Sequence, residues 1–72
     1  MLYIYLIAAH SYGYDDYIGF VIAARNESEV RNIAARKDPS RKATWLSKSD
    51  VTKVGIADSL APCVLMDSFN AG

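Results

Sequence analysis

A chain of 72 residues is long enough for one small domain, and such a domain buries only about 60–65% of the surface that its unfolded chain exposes. A hydrophobic fraction of 51% with 22% charged residues excludes a disordered chain, and a formal net charge of zero argues against a long nucleic acid as the partner. One cysteine and one histidine allow neither an internal disulfide nor an ordinary zinc site. We therefore expect no cofactor, and we expect self-association to supply the missing stability.

The chain opens with an apolar segment, Leu2–Ala9, that is rich in β-branched and aromatic residues. Both of its alternating faces are apolar, which predicts a central strand. The segment has no basic leader and falls far short of the ~20 residues that span a bilayer, so we expect a core strand of a cytoplasmic protein and no membrane partner. His10–Asp16 has the composition of a turn, and Tyr17–Ala24 alternates as a second strand, which predicts an antiparallel pair.

A helix is predicted at Glu27–Lys37, because the period of the apolar residues changes from that of a strand to that of a helix. Asn26 can accept a hydrogen bond from the first helical turn, and Glu29 can reach back as in a capping box. Asp38 and Pro39 end the helix, since the residue before a proline is pushed out of the α region. The apolar stripe of this helix is too narrow to cover a whole sheet face. It consists of Val30, Ile33 and Ala34.

The second half of the chain gives weaker signals. Ser40–Asp50 has no clear period and is predicted to be irregular. Within it, Trp45 and Leu46 form an apolar pair that should fold back onto an uncovered part of the core. Two further strands and a loop are predicted at Val51–Ala57, Cys63–Phe69 and Asp58–Pro62 respectively.

The predicted fold class is α+β, with a four-stranded antiparallel sheet, one helix on one face and the element order ββαββ. One helix cannot cover both faces of a sheet whose first two strands are apolar on both sides. Either the Trp45 segment wraps to the second face or two copies pack sheet to sheet, because an exposed apolar surface of this size is uncommon on monomers. We expect the homo-oligomer interface on the tyrosine-bearing face, at Tyr3, Tyr5 and Tyr17.

No stretch of the sequence has a catalytic signature, so we predict that the protein is not an enzyme. Residue types of a nucleophilic triad occur without a Gly-x-Ser-x-Gly elbow; they are His10, Ser11, Asp15, Asp16 and Ser68. The two aspartates are not followed by further oxygen ligands at EF-hand spacing, so a role in capping the loop is expected. Cys63 is expected to be a small buried residue rather than a nucleophile.

Basic charge is concentrated in Arg31–Lys48, which carries six bases and one acid. Arginine offers forked donors to phosphate, and tyrosine and tryptophan stack on bases, so the combination predicts a small nucleotide ligand. The candidate ligand-binding residues are Arg36, Arg41, Trp45, Tyr12 and Tyr14. The alternatives are a solvated basic face and aromatic residues that complete a thin core.

A resemblance extends over nearly the whole chain, through the YIYLI strand, the GYDDY turn, the FVIAARNESEVRNIA join, Trp45, the VTKVGIA strand and the closing SFNAG segment. These segments resemble those of small phage and prophage accessory proteins of unassigned function. The resemblance brings no catalytic residues with it. It implies a viral accessory protein in the host bacterial cytoplasm, where such proteins commonly disable host defences by stoichiometric binding.

Two hypotheses of different class follow from the resemblance. In the first, the protein sequesters a small nucleotide immune signal in pockets between copies. In the second, it inhibits a host defence protein through the tyrosine-rich sheet face, as anti-CRISPR proteins do. The first hypothesis requires pockets rimmed by basic residues, and the second requires a flat exposed patch. A structural or assembly role is a third alternative.

Overall fold

The computed structural model describes residues 2–11, 13, 16–57 and 62–70, and at residues 57 and 66–70 it describes the backbone alone. Within these residues, four strands and two α-helices follow one another in the order ββααββ. Their bounds are β1 Leu2–Ala9, β2 Asp16–Ala24, α1 Glu27–Lys37, α2 Lys42–Ser47, β3 Ser49–Ala57 and β4 Cys63–Asn70. A short 3-10 turn, Pro39–Arg41, joins the helices. The α+β class and the four antiparallel strands are confirmed, whereas the single helix of the predicted ββαββ order is wrong.

The four strands form one antiparallel sheet in the order β3-β1-β2-β4. The strands β1 and β2 lie at its centre and pair antiparallel, with Tyr3 opposite Ala24. The central place of β1 and the antiparallel pairing are as predicted. The edges are β3 and β4, although these strands are consecutive in the chain. Each edge strand contains a bulge: Val54 is the extra residue opposite β1, and Leu65 is the extra residue opposite β2.

The start of α1 has the predicted capping. Asn26 has an extended backbone, and its Oδ1 atom accepts a hydrogen bond from the N–H of Glu29 at 2.9 Å. Glu29 reaches back one residue further than in an ordinary capping box, because its Oε1 atom accepts from the N–H of Arg25 at 2.8 Å. Asp38 is the C-cap residue of α1, and the helix ends before Pro39, as predicted. Side-chain hydrogen bonds therefore fix the join between β2 and α1.

The stretch that was predicted to be irregular, Ser40–Asp50, contains α2 and the first residues of β3. Six residues make less than two helical turns, which is too short to display an apolar period and too short for a helix to be stable alone. Tertiary packing stabilises it, since the Trp45 side chain is fully buried. Trp45 is thus the apolar plug that the sequence predicts, whereas Leu46 next to it remains exposed.

Both helices lie on the same face of the sheet, and the core lies between them and the sheet. The rings of Phe20 and Trp45 meet edge to face there, with 5.0 Å between their centroids. The Trp45 segment therefore does not wrap to the second face of the sheet. The buried members of the core are Tyr5, Ile7, Phe20, Ile22, Ala24, Val30, Ile33, Ala34, Ala35 and Trp45.

The three tyrosines that were predicted to form an interface lie on the helix-covered side. Tyr5 is only 8% exposed and belongs to the core, and Tyr3 and Tyr17 are partly buried against it. The Tyr17 ring packs on Phe20 with 5.0 Å between ring centroids. These rings complete a thin core, which was the alternative interpretation. A partner cannot contact Tyr5 in this fold, because the helices cover it.

Candidate functional site: the uncovered face of the sheet

The structure separates the five predicted ligand-binding residues. Arg41 and Trp45 lie together, with the guanidinium carbon of Arg41 5.4 Å from the centre of the Trp45 ring. Arg36 is exposed near the end of α1. Tyr12 and Tyr14 lie outside the described residues. Only the pair of Arg41 and Trp45 is therefore brought together by the fold.

Trp45 has a structural role that leaves its ring unavailable to a ligand. The side chain has no exposed surface, and its Nε1 atom donates a hydrogen bond to Oδ2 of Asp38 at 3.0 Å. This bond satisfies the one polar group of the indole, which would otherwise be costly to bury. A nucleotide base could stack on this ring only if α2 left the sheet.

Arg41 is engaged by the protein itself. Its Nη1 atom donates to the carbonyl of Tyr17 at 2.8 Å, and its Nη2 atom donates to the carbonyl of Ser11 at 2.7 Å. The carboxylates of Asp38 and Asp16 lie 3.5 and 3.9 Å from its guanidinium nitrogens. Arg41 therefore ties the turn between the helices to both sides of the β1–β2 connection. A bound anion would have to compete with all four oxygens.

A second arginine holds the other end of α2 in the same manner. Arg31 donates from Nη1 to the carbonyl of Trp45 at 3.2 Å and to Oγ of Ser49 at 2.9 Å, and from Nη2 to the carbonyl of Ser49 at 3.2 Å. Its Nε atom donates to Glu27, four residues earlier on α1, at 3.2 Å. Two bases of the basic run are therefore structural. Its exposed bases are Arg36, Lys37, Lys42 and Lys48.

The side of the sheet opposite the helices is covered by no helix or strand of the described residues. Leu6 lies between Tyr5 and Ile7, which are buried on the helical side, so Leu6 projects to the opposite side, where it is 43% exposed. The same alternation assigns six apolar residues of β1 and β2 to this side. We call them the uncovered face: Leu2, Ile4, Leu6, Ala8, Val21 and Ala23.

Small residues of β2 lie opposite β1 on this side of the sheet. Ala23 lies opposite Ile4 and has no exposed surface, although no helix or strand of the described part covers it. Gly19 lies opposite Ala8, and a Cβ atom built on it would be 2.5 Å from the carbonyl oxygen of Ile7. On the uncovered face, only the leucine, isoleucine and valine side chains therefore project from the sheet, and the surface between them is shallow.

Polar groups lie at the rim of the uncovered face. On the edge strand β3, Thr52 lies opposite Leu6 and Asp50 lies opposite Ala8. The exposed Asp50 carboxylate is 3.0 Å from Nε2 of His10 at the end of β1. An apolar centre with a polar rim is the usual anatomy of a protein–protein interface. The side opposite the tyrosines therefore has an apolar centre, which is exposed at Leu6, and a polar rim.

The described residues hold no arrangement with an evident catalytic role. Among them, no group of three or more His, Cys, Asp or Glu side chains is placed to hold a metal ion. Every buried side-chain nitrogen or oxygen in the described part has a hydrogen-bond partner. Asp16 accepts from the N–H of Gly13 at 2.7 Å, which is a loop-capping role. Cys63 is half-buried at the start of β4. Neither described α-helix has the length and apolar character needed to cross a membrane.

Comparisons with known proteins give no family for this chain. No protein-family model matches it, and searches of curated proteins and of solved structures found no match.

The sequence indicates the uncovered face only in part. The two-sided apolar pattern of β1 and β2 predicts that one sheet face lacks a cover, and within the described part of the chain no helix or strand covers the side opposite the helices. The choice of face does not follow from the pattern, because Leu2, Ile4 and Leu6 are as apolar as the residues that alternate with them. The tyrosines favour the side that the helices cover, where their large rings are also well suited to a thin core.

Proposed function

We propose that this protein is a non-catalytic binding protein that acts by stoichiometric association with another protein through the uncovered face. The observation that carries the proposal is the exposure of Leu6 at the centre of the sheet, 43% open on the side without helices. Removing apolar surface from water contributes about 25 cal/mol per Å². A partner with an apolar surface of its own would therefore gain free energy by covering this face.

The setting that we propose is the one that the resemblance implies, a phage accessory protein that disables a host defence protein in the bacterial cytoplasm. Such an inhibitor needs no catalytic group, because occupying a working surface of its target is sufficient. The use of both Trp45 and Arg41 within the protein supports this hypothesis over nucleotide sequestration. The Trp45 ring is buried and cannot stack on a nucleotide base, and the guanidinium of Arg41 already donates to backbone carbonyls and is not free to bind a phosphate.

A phage plating assay tests the proposal. Bacteria that carry one of a panel of defence systems, RNA-guided systems among them, would express the parent protein or Leu6→Lys before infection. We expect the parent to restore plating against at least one system. We expect Leu6→Lys to lose at least about tenfold of that restoration, because a lysine ammonium at the centre of an apolar interface is costly to bury without a partner.

Leu46→Lys is the matched control for this assay. Leu46 is 39% exposed, nearly as much as Leu6, and lies on α2 on the helical side. The same substitution there changes the net charge equally and leaves the uncovered face intact, so plating should be restored as well as by the parent. If Leu6→Lys is as active as the parent, or if Leu46→Lys alone loses activity, the uncovered face is not the binding surface.

Sequestration of a small nucleotide immune signal is the second candidate function. Four exposed bases support it: Arg36, Lys37, Lys42 and Lys48. The acid nearest to them in the chain, Asp38, is buried and contacts Trp45 and Arg41, so it does little to neutralise their positive field. Such a site would hold phosphate by exposed side chains and would lack the predicted tryptophan.

A thermal-shift screen with cyclic and linear nucleotides decides the second candidate. A nucleotide at a hundredfold excess over its Kd stabilises the folded protein by about 2.7 kcal/mol. Arg36→Ala should remove that shift, whereas Arg25→Ala should keep it, since Arg25 is at the other end of α1 and pairs with Glu29 at 3.1 Å. If this result is found, nucleotide sequestration replaces the protein-binding proposal.

A further inference from the structure

We infer that a second copy of this chain occupies the uncovered face whenever no other protein is bound, with two sheets packed face to face about a two-fold axis. This inference rests on the proposed binding role of that face and names the face's partner in the free protein. The expected self-association thus moves from the tyrosine side to the side bearing Leu6 and Val21.

The area of the face is close to what a stable dimer needs. A strand of the length of β1, which has 8 residues, extends for about 26 Å, and four strands span about 19 Å, so the whole side of the sheet that contains the uncovered face, edge strands β3 and β4 included, spans roughly 500 Å². Two faces packed together would bury roughly 1,000 Å², which is the lower bound for a specific interface. A contact of this size predicts a dimer that dissociates on dilution rather than a permanent one.

The charge distribution is compatible with a two-fold axis through this face. A two-fold interface sets each patch against the same patch of the other copy, so any charge within it would meet its like. None of the six residues of the uncovered face is charged, and the carboxylate of Asp50 at its rim lies 3.0 Å from Nε2 of His10 in the same copy. The exposed bases Arg36, Lys37 and Lys42 are carried by the helical layers, which would lie on opposite outer sides of the two sheets. Successive layers are about 10 Å apart, and both sheets lie between the bases of one copy and those of the other. The distance between the two sets of bases is therefore well beyond the Debye length of about 8 Å.

The side chains on this face are of a kind that can fill the space between two packed sheets. In aligned sandwiches, the inner side chains of two sheets interdigitate across about 10 Å. Ile4, Leu6 and Val21 would fill that space from each copy, over the shallow floor formed by Gly19 and Ala23. Self-association and target binding would then compete for one surface. The dimer would protect the apolar face until a target of higher affinity displaces the second copy.

Sedimentation velocity of the full chain across the micromolar range tests the inference. The parent should approach twice the chain mass of 7.9 kDa as its concentration rises. Leu6→Lys should sediment as a single chain, with its dimer Kd raised on the order of a hundredfold, because two lysines would meet across the two-fold axis. Leu46→Lys should dimerise like the parent, since its new charge lies on the outer, helical side.

Folding is checked separately for each variant by circular dichroism and thermal melting. Leu6→Thr serves as the second variant, because threonine suits a partly exposed strand position and adds no charge. We expect it to remain folded and to weaken the dimer by about tenfold, since it removes part of the apolar contact. A folded Leu6→Thr or Leu6→Lys protein that dimerises like the parent would overturn the inference, and so would a parent that is monomeric throughout.

The dimer and the proposed function fail in different experiments. A monomeric parent whose Leu6→Lys variant no longer counters the host defence would refute the dimer and leave the binding role of the face intact. A dimeric parent whose dissociated Leu6→Lys variant still counters the defence would support the dimer and refute the proposed function.

Discussion

Neighbouring residues of β1 meet opposite environments: Ile7 has no exposed surface beneath the helices, whereas Leu6 is 43% exposed on the uncovered face. The two sides of the sheet are similarly apolar but differ in their polar contacts. On the helical side, Trp45 bonds to Asp38 and Arg41 bonds to two backbone carbonyls. Apolar side chains can pack against partners of different shapes, whereas hydrogen bonds between specific groups are satisfied in only one arrangement of the chain. The helical side therefore specifies the fold, and the uncovered side can accept another surface.

Trp45→Ala should have the largest effect, because it removes the aromatic centre of the helical side. We expect a loss of about 3–5 kcal/mol in the free energy of unfolding, which is most of the stability of a small domain. The Asp38 carboxylate would also lose its buried donor. Urea denaturation measures the loss, with Leu46→Ala as the control that should cost far less. Equal costs for the two variants would mean that α2 does not stabilise the core.

Ile7→Ala and Leu6→Ala compare the two faces directly on one strand. Ile7→Ala should cost about 2–5 kcal/mol, since it leaves a cavity in the core. Leu6→Ala should cost about 1 kcal/mol in the monomer, because much of the side chain is already in water. Denaturation at several protein concentrations would show a larger cost for Leu6→Ala when dimers form. If Leu6→Ala is as costly as Ile7→Ala at the lowest concentration, the uncovered face is covered within the monomer.

Arg41→Ala and Arg36→Ala distinguish a structural arginine from an exposed one. Arg41 is 16% exposed and bonds two carbonyls, so its removal should cost about 1.5–3 kcal/mol of folding stability. This expectation replaces the one from sequence, in which Arg41 binds a ligand and leaves folding unchanged. Arg36→Ala should leave the melting temperature unchanged, as is usual for exposed positions. If Arg41→Ala melts at the same temperature as the parent, the hydrogen bonds of Arg41 do not stabilise the fold.

Gly19→Ala and Gly55→Ala test how closely the strands approach on the uncovered side. A Cβ atom at Gly19 would lie 2.5 Å from a backbone oxygen of β1, so we expect a loss of about 1–3 kcal/mol as the strands separate. At Gly55 the nearest atom is Cδ1 of Ile4 at 3.9 Å, which is ordinary contact. Gly55→Ala should be neutral or slightly stabilising, because glycine weakens a strand interior. Thermal melting of both variants checks the contrast.

The sequence predicts the elements that have a long period or a capping signal. The bounds of β1 and α1 agree with the structure, because strand alternation and the caps at Asn26 and Asp38 are local properties. Helix α2 could not be predicted in this way. Its six residues are ordered by the burial of Trp45 and by hydrogen bonds from Arg31, which is 14 residues away in the chain. The strand order could not be predicted either, because it depends on pairing between strands that are distant in the chain, such as β1 with β3.

The candidate site is less predictable than the fold. The sequence places Arg41 and Trp45 close together, and they do lie close together, but their roles depend on partners that sequence spacing does not reveal. Asp38 and the carbonyls of Ser11 and Tyr17 satisfy them within the protein. A binding site and a structural clamp use the same residue types, so composition cannot distinguish them. The structure distinguishes them by burial and by satisfied donors.

The bulge in β3 has a consequence for polymerisation. This edge strand has apolar side chains in water, since Val54 and Ile56 are each 60% exposed, and a flat edge of that kind would be a template for fibrils. The extra residue Val54 bends the strand, and the ammonium of Lys53 lies over the Tyr3 ring at 4.2 Å, adding charge at the same place. A further strand therefore cannot add to β3 in regular register. Growth at the β3 edge is therefore disfavoured, so two faces can pair without offering that edge as a template for an open-ended aggregate.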